Sequence, residues 1–182
     1  QVLPVGEDGI VSAEAAVAAI NEQTILASIM LANNEIGAIQ PVADIAYAIK
    51  AANSTTLVHT DACQAAGAID LNVAQLGVDL LTINASKMYG PKGIGLLYVK
   101  RGTRLKPLLY GGDQEQGLRP GTENVAAIIG FAKAVQLAEE RRAQEVPRLT
   151  ALRDQLIDGI TTRISGVRLN GSRAQRLPNN VN

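Results

Sequence analysis

There is no tryptophan in this chain, and only one phenylalanine, one histidine and one cysteine. Each scarcity removes a class of protein. The lone cysteine, Cys63, permits no internal disulfide, so a disulfide scaffold is excluded and a reducing, cytoplasmic setting fits. One histidine and one cysteine cannot assemble a structural zinc site. Aromatics at 3% leave few stacking platforms for bases, and 17 Lys+Arg against 17 Asp+Glu leave no basic footprint. Direct nucleic-acid binding is therefore not expected. The longest apolar runs are strand-sized, well short of a membrane span, and no secretory leader pattern opens the chain.

What is present is an ordinary globular composition, 47% apolar and 19% charged over 182 residues. That suffices for one sizeable domain, or one domain and part of another. The chain opens on Gln1-Val2-Leu3-Pro4-Val5 and closes on Leu177-Pro178-Asn179-Asn180-Val181-Asn182. Both ends read as cut, so a fragment or processed segment is expected.

Gln1–Val5 reads as a short strand, and Ser12 as the cap of a first helix with Glu14 in its first turn. Thr24–Leu31 is a near-continuous apolar run, the pattern of a parallel strand covered on both faces. Pro41 opens a helix to about Ala52, with Val42, Ile45, Ala46 and Ile49 at helical spacing. Strands follow at Thr56–Thr60 and Asp79–Asn84, with a short helix near Val73–Leu76. Alternation of this kind predicts a parallel sheet wrapped by helices. Ile94–Lys100 breaks the pattern. Only Ala85–Gly93 precedes it, too little for a parallel crossover, so this strand is expected to run antiparallel. Beyond the Gly-rich loops around Gly111 and Gly121, a helix from Val125 is expected to stop near Pro147, and a second to run from Arg148 to Ile164. Gly166–Leu169 reads as a strand. The charged stretch Glu139–Glu145 marks the expected boundary between residues 1–140 and 141–182.

Three polar residues sit just past apolar runs: Asp61 and Gln64 after the third strand, Lys87 after the fourth. Ligands of open α/β sheets lie outside the carboxyl ends of strands. Lys87 is either a solvated loop lysine or a Schiff-base lysine. Its neighbours Asn84, Ser86, Tyr89, Gly90, Pro91 and Gly93 favour the second, as small hydrogen-bonders and a rigid turn. Asp61 is a turn residue or the carboxylate that a pyridinium nitrogen requires. Gln64 and Asn34 are turn amides or donors to a phenolic oxygen. Cys63 and His59 read as packing or hydrogen-bonding residues rather than catalysts. Gly93-Ile94-Gly95 precedes no helix, so it is no dinucleotide fingerprint.

Four segments in order carry a resemblance: Asn33-Asn34-Glu35-Ile36-Gly37, His59-Thr60-Asp61-Ala62-Cys63-Gln64, Ser86-Lys87-Met88-Tyr89-Gly90-Pro91-Lys92-Gly93-Ile94-Gly95 and Arg119-Pro120-Gly121-Thr122. Over nearly its whole length the chain closely resembles the cysteine desulfurases of the class V aminotransferase group. The resemblance implies an α/β large domain of the PLP-dependent transferase fold type I, mostly parallel with one antiparallel strand, and the start of a small C-terminal domain. The large-domain sheet of that fold has seven strands. It implies pyridoxal 5'-phosphate (PLP) as cofactor and L-cysteine as substrate. Alanine is released, and a persulfide passes to a sulfur acceptor such as an iron–sulfur scaffold, or to tRNA thiolation. Lys87 would carry the cofactor and shuttle the proton. Asp61 would pair with the pyridine nitrogen, Asn34 and Gln64 with the phenolic oxygen, and Asn84 and Ser86 with the phosphate. Thr122 would reach the phosphate of the neighbouring subunit in a homodimer.

Ser86 stands where the family usually has histidine, and Asn84 where it usually has serine. The family's aromatic ring that stacks on PLP and its phosphate-binding loop precede the matched region. Its sulfur-accepting cysteine and substrate-binding arginine follow it, and Cys63 occupies neither place. The 182-residue chain alone is accordingly expected to have no desulfurase activity and to bind PLP weakly at best. Two other readings remain open: another class V enzyme, such as a selenocysteine lyase or aminotransferase, and a non-catalytic scaffold or dimerisation fragment.

Overall fold

Backbone pairing decides how the apolar runs assemble. In the computed structural model, which describes residues 1–182, four strands lie in chain order: β1 (Leu26–Met30), β2 (Leu57–Asp61), β3 (Leu80–Asn84) and β4 (Gly95–Val99). β1, β2 and β3 are parallel, with Met30 opposite Asp61 and Asp61 opposite Thr82. β4 runs antiparallel to β3, Asn84 facing Gly95, as the short connection requires.

Helices α1 (Ala13–Ala18), α2 (Val42–Ala52) and α3 (Val73–Leu76) alternate with the parallel strands. The Ser12 hydroxyl accepts the Ala15 amide at 3.0 Å and caps α1. On α2, Val42, Ile45, Ala46 and Ile49 are each at most 2% exposed. That stripe is what fastens the helix to the sheet; a fully buried Ile or Val contributes about 1.5–3 kcal/mol. Asn72 caps α3 and Gly77, at φ +66°, ends it.

At the start of β3 the carboxylate of Asp79 is buried. It accepts the Val58 amide at 2.9 Å and the Lys50 ammonium at 2.6 Å, with Lys100 at 3.8 Å. This network ties α2, β2, β3 and the end of β4 together at the end of the sheet remote from Asp61 and Lys87.

Four expectations require correction. Gln1–Val5 forms no strand, because no ladder partner takes its backbone groups; Val2 is 92% exposed. Gly166–Leu169 forms no strand either. β1 is not covered on both faces: Ile29 is buried, but Leu26, Ser28 and Met30 are exposed, so one face of the sheet is open. Finally, α4 (Val125–Arg163) is one 39-residue helix that runs through Pro147. A proline inside a helix costs about 3 kcal/mol or more. Here Phe131 and Ala134 before it, and Arg153 and Ile157 after it, are buried against the body, so both flanks are held in helical geometry by packing.

After α4 the chain turns back over the molecule. Arg153 donates from α4 to the carbonyls of Arg176 and Leu177 at 2.9 and 3.1 Å. Leu177 is 2% exposed and joins the core. Its amide bonds to the Gly37 carbonyl at 2.8 Å, and the Ile39 amide bonds to the Gln175 carbonyl at 3.0 Å.

Candidate active site

Asp61 is the last residue of β2, where the side chains leave the ladder. Its Oδ1 accepts the Cys63 amide at 2.9 Å, an Asx turn that folds the chain sharply past the strand. No cation pairs with the carboxylate, and its one side-chain neighbour within hydrogen-bonding reach is the Cys63 thiol. One strand over, Asn84 closes β3. Its Oδ1 accepts the Lys87 amide at 3.2 Å and the Ser86 hydroxyl at 3.0 Å, winding Ala85–Lys87 into a single 3₁₀ turn. Lys87 and Ser86 are exposed, and the Lys87 ammonium makes no ion pair.

The turn bearing Lys87 is braced from behind. Ala85 and Met88 are buried. Gly90 lies so close to Ala85 and α4 that a Cβ there would sit 2.9 Å from the Ala85 Cβ and 3.1 Å from the Ala134 Cβ. Tyr89, at φ +63°, is in the left-handed region and fully exposed. The lysine thus projects from a turn whose backbone has little freedom.

β2 and β3 meet at this end through Cys63, whose thiol lies within hydrogen-bonding reach of Asn84 and 3.8 Å from the Thr82 carbonyl. Burial first, and then the Asp61 carboxylate, push the thiol up to about 11. At neutral pH it is a thiol, not a nucleophilic thiolate. His59, two residues before Asp61 on the same sheet face, bridges three strands. Its Nδ1 is 2.7 Å from Ser28 Oγ on β1, and its Nε2 is 2.9 Å from Thr82 Oγ1 on β3. Burial holds its imidazole below the ordinary histidine range, with Asp61 pulling partly the other way.

Gln64 is half-buried, and its side chain makes no hydrogen bond within the chain. Asn34 is exposed at the end of β1, again without a side-chain partner. Its neighbour Asn33 does the local structural work, accepting the Glu35 and Ile36 amides at 2.9 Å each. Thr122 is exposed just before α4, and no hydrogen bond ties it to the other residues. Strand order therefore collects Asn34, Asp61, Gln64, Asn84, Ser86 and Lys87 at one end of the sheet, while Thr122 stands apart in the loop that precedes α4. The sequence reading gave no role to the Ser28–His59–Thr82 ladder or to the segment behind Asn34. Ser28 and Thr82 lie far apart along the chain, and only strand register brings them to His59.

This donor set is chemically suited to PLP. It offers one unpaired carboxylate for a pyridinium nitrogen, one unpaired amine for a carbonyl carbon, two unpartnered amides for a phenolic oxygen, and a hydroxyl and amide beside the amine for a phosphate.

The class-V aminotransferase family matches residues 1–182, the whole chain, and the chain belongs to that family. It is 51% identical over 180 residues to the cysteine desulfurase IscS of Dictyoglomus turgidum, covering 99% of this chain and 45% of that protein. It is 46% identical to cysteine desulfurase IscS 1 of Archaeoglobus fulgidus, covering 99% and 46%. Among solved structures, a NifS-like protein superposes with a TM-score of 0.94 at 39% identity, covering all of this chain and 49% of the other. A NifS-like protein from Rickettsia africae gives 0.89 at 31% identity, covering 97% and 49%. The chain spans about half the length of the relatives it matches.

Proposed function

We propose that this chain is the central part of a PLP-dependent cysteine desulfurase. The protein would convert L-cysteine to L-alanine and leave the sulfur as a persulfide for an acceptor protein in iron–sulfur cluster or thionucleoside synthesis. The observation that carries the proposal is the pairing of Asp61 and Lys87 at the ends of successive parallel strands. Each lacks a counter-ion, and each is held by a turn. An unpaired acid and amine at neighbouring strand ends are poor stability devices but suit a charged heterocyclic cofactor.

When bound, PLP supplies an electron sink for cleavage next to an amino acid's α-carbon. The chain's own residues hold and orient it. The Asp61 Oδ2 keeps a proton on the pyridine nitrogen. Asn34 and Gln64 donate to the phenolic oxygen, and Asn84 and Ser86 take the phosphate. Lys87 would hold the cofactor covalently through its amine, and the same amine would serve as the proton shuttle. Thr122 serves the site of the neighbouring subunit in a homodimer. Residues 1–140 belong to the PLP-binding large domain and 141–182 begin a smaller one, α4 spanning both. The sulfur-accepting cysteine and substrate-binding arginine would come from outside residues 1–182. The single, half-buried thiol, Cys63, accords with a cytoplasmic enzyme.

The test is Lys87→Ala in the full-length protein. Borohydride reduction should fix PLP covalently in the wild type and not in the variant, and sulfide release from L-cysteine should fall below detection. Sulfide release that survives Lys87→Ala would overturn the assignment. The isolated 182-residue chain with PLP should release no sulfide.

A further inference from the structure

Asn34 lies between two residues that are each pinned, and one of the pins comes from the far end of the chain. The Asn33 side chain fixes the amides of Glu35 and Ile36 from within the loop. The Glu35 carbonyl is held from outside, by Asn180 Nδ2 at 3.0 Å and Asn182 Nδ2 at 3.2 Å. These contacts join residues 145 and 147 positions apart in sequence.

The Asn180 amide has only one sensible orientation. Its Oδ1 accepts Arg176 Nη1 at 2.9 Å, and a guanidinium can only donate, so Nδ2 is turned to Glu35. Arg176 is 3% exposed, and its other donors go to the carbonyls of Ser172 (2.8 Å) and Asn170. Its acceptors are all neutral oxygens, and burial and the neighbouring Arg153 lower its pKa. Arg153 in turn anchors residues 176 and 177 to α4. The fit is close: a Cβ on Gly37, at φ +70°, would lie 2.7 Å from Asn180 atoms. Only glycine permits that approach.

We propose that Asn180, oriented by Arg176, is a positioning residue for Asn34. It sets the loop 33–37 so that the free Asn34 amide meets the cofactor, a role that rests on the PLP reading above. Segment 170–182 is then part of the cofactor site without touching the cofactor.

Asn180→Asp tests this in the full-length protein, because it keeps an acceptor for Arg176 and removes the shorter of the two donors to Glu35, leaving that of Asn182. Hydrogen exchange at the amides of residues 36, 37 and 39 should quicken by about tenfold or more. The PLP Kd should rise roughly fivefold, as for Asn34→Ala, and the visible absorbance of bound PLP should shift the same way, all with Tm nearly unchanged. Asn180→Ala serves as the second variant and should show the same exchange and affinity changes. The proposal fails if exchange stays at the wild-type rate. It also fails if exchange quickens while PLP affinity and absorbance remain those of the wild type, since Asn180 would then be merely structural. A wild type that takes up no PLP overturns the cofactor reading and this proposal with it, a result seen before any variant is made.

Discussion

Asn84 holds the backbone of Lys87: its Oδ1 accepts the Lys87 amide at 3.2 Å while also taking the Ser86 hydroxyl. The side chain that ends β3 is thus the cap of the turn that presents the lysine. Losing such a cap costs about 1 kcal/mol. Asn84→Ala should therefore loosen the turn and weaken PLP binding by about fivefold or more, since it also removes a proposed phosphate partner. Asn84→Asp keeps the cap but repels a phosphate. It should keep the Tm while losing affinity, as read by fluorescence titration with PLP. Equal affinity in all three forms would refute the assignment of Asn84.

Cys63 should alkylate slowly. A thiol pushed from 9.0 to about 11 has a hundredth of the thiolate of an ordinary one at pH 8. Iodoacetamide labelling followed by mass spectrometry should run at least ~10-fold slower than with a free cysteine peptide. Asp61→Asn removes the second cause of the shift and leaves the first, burial, so labelling should speed up only in part. Labelling at the peptide's rate would contradict the half-buried, acid-flanked environment.

His59 should make the fold sensitive to mild acid. Its folded pKa is depressed by burial, and Asp61, the only charged group on the strands around it, opposes that only in part. Below the ordinary histidine value the unfolded chain binds a proton that the folded chain does not. Stability is then complete above that value and declines as pH falls through it. Tm should drop between pH 7 and pH 5, and His59→Gln should flatten part of that drop while lowering Tm at pH 7 through the loss of the bonds to Ser28 and Thr82. An identical slope in both proteins would exclude His59 as the source.

Asp79 and Lys50 should matter to stability alone. Breaking a buried pair strands a charge and costs about 3–5 kcal/mol. Asp79→Ala also orphans the Val58 amide. For a chain of this size that corresponds to a Tm lower by about 6–20 °C. The paired substitution Lys50→Met with Asp79→Leu should recover part of the loss, and PLP binding per folded molecule should stay as in the wild type. A Tm unchanged in Asp79→Ala would show that the pair contributes nothing.

Much of this was legible in the residues because it is local. Ser12, the Val42–Ile49 stripe, the short Ala85–Gly93 link and the four motif segments each act within a few positions of chain. Where local rules competed with packing, packing prevailed. Pro147 argues for a helix end, but the buried residues on either side of it keep α4 continuous. Gln1–Val5 has strand-like residues but no partner to pair with.

The sequence by itself determined the parallel order of β1–β3, the reversal at β4, and which polar residues follow which strand. Connection length and apolar pattern dictate those without reference to the rest of the molecule. Only the tertiary structure decided that Asp61 and Lys87, at that shared end of the sheet, have no counter-ion. It also decided that His59 is shared between Ser28 and Thr82, and that Asn180 reaches back to Glu35. Those relations depend on strand register and on the return of the chain over α4. Neither leaves a periodic trace in the sequence, because both arise from contacts between residues far apart along it.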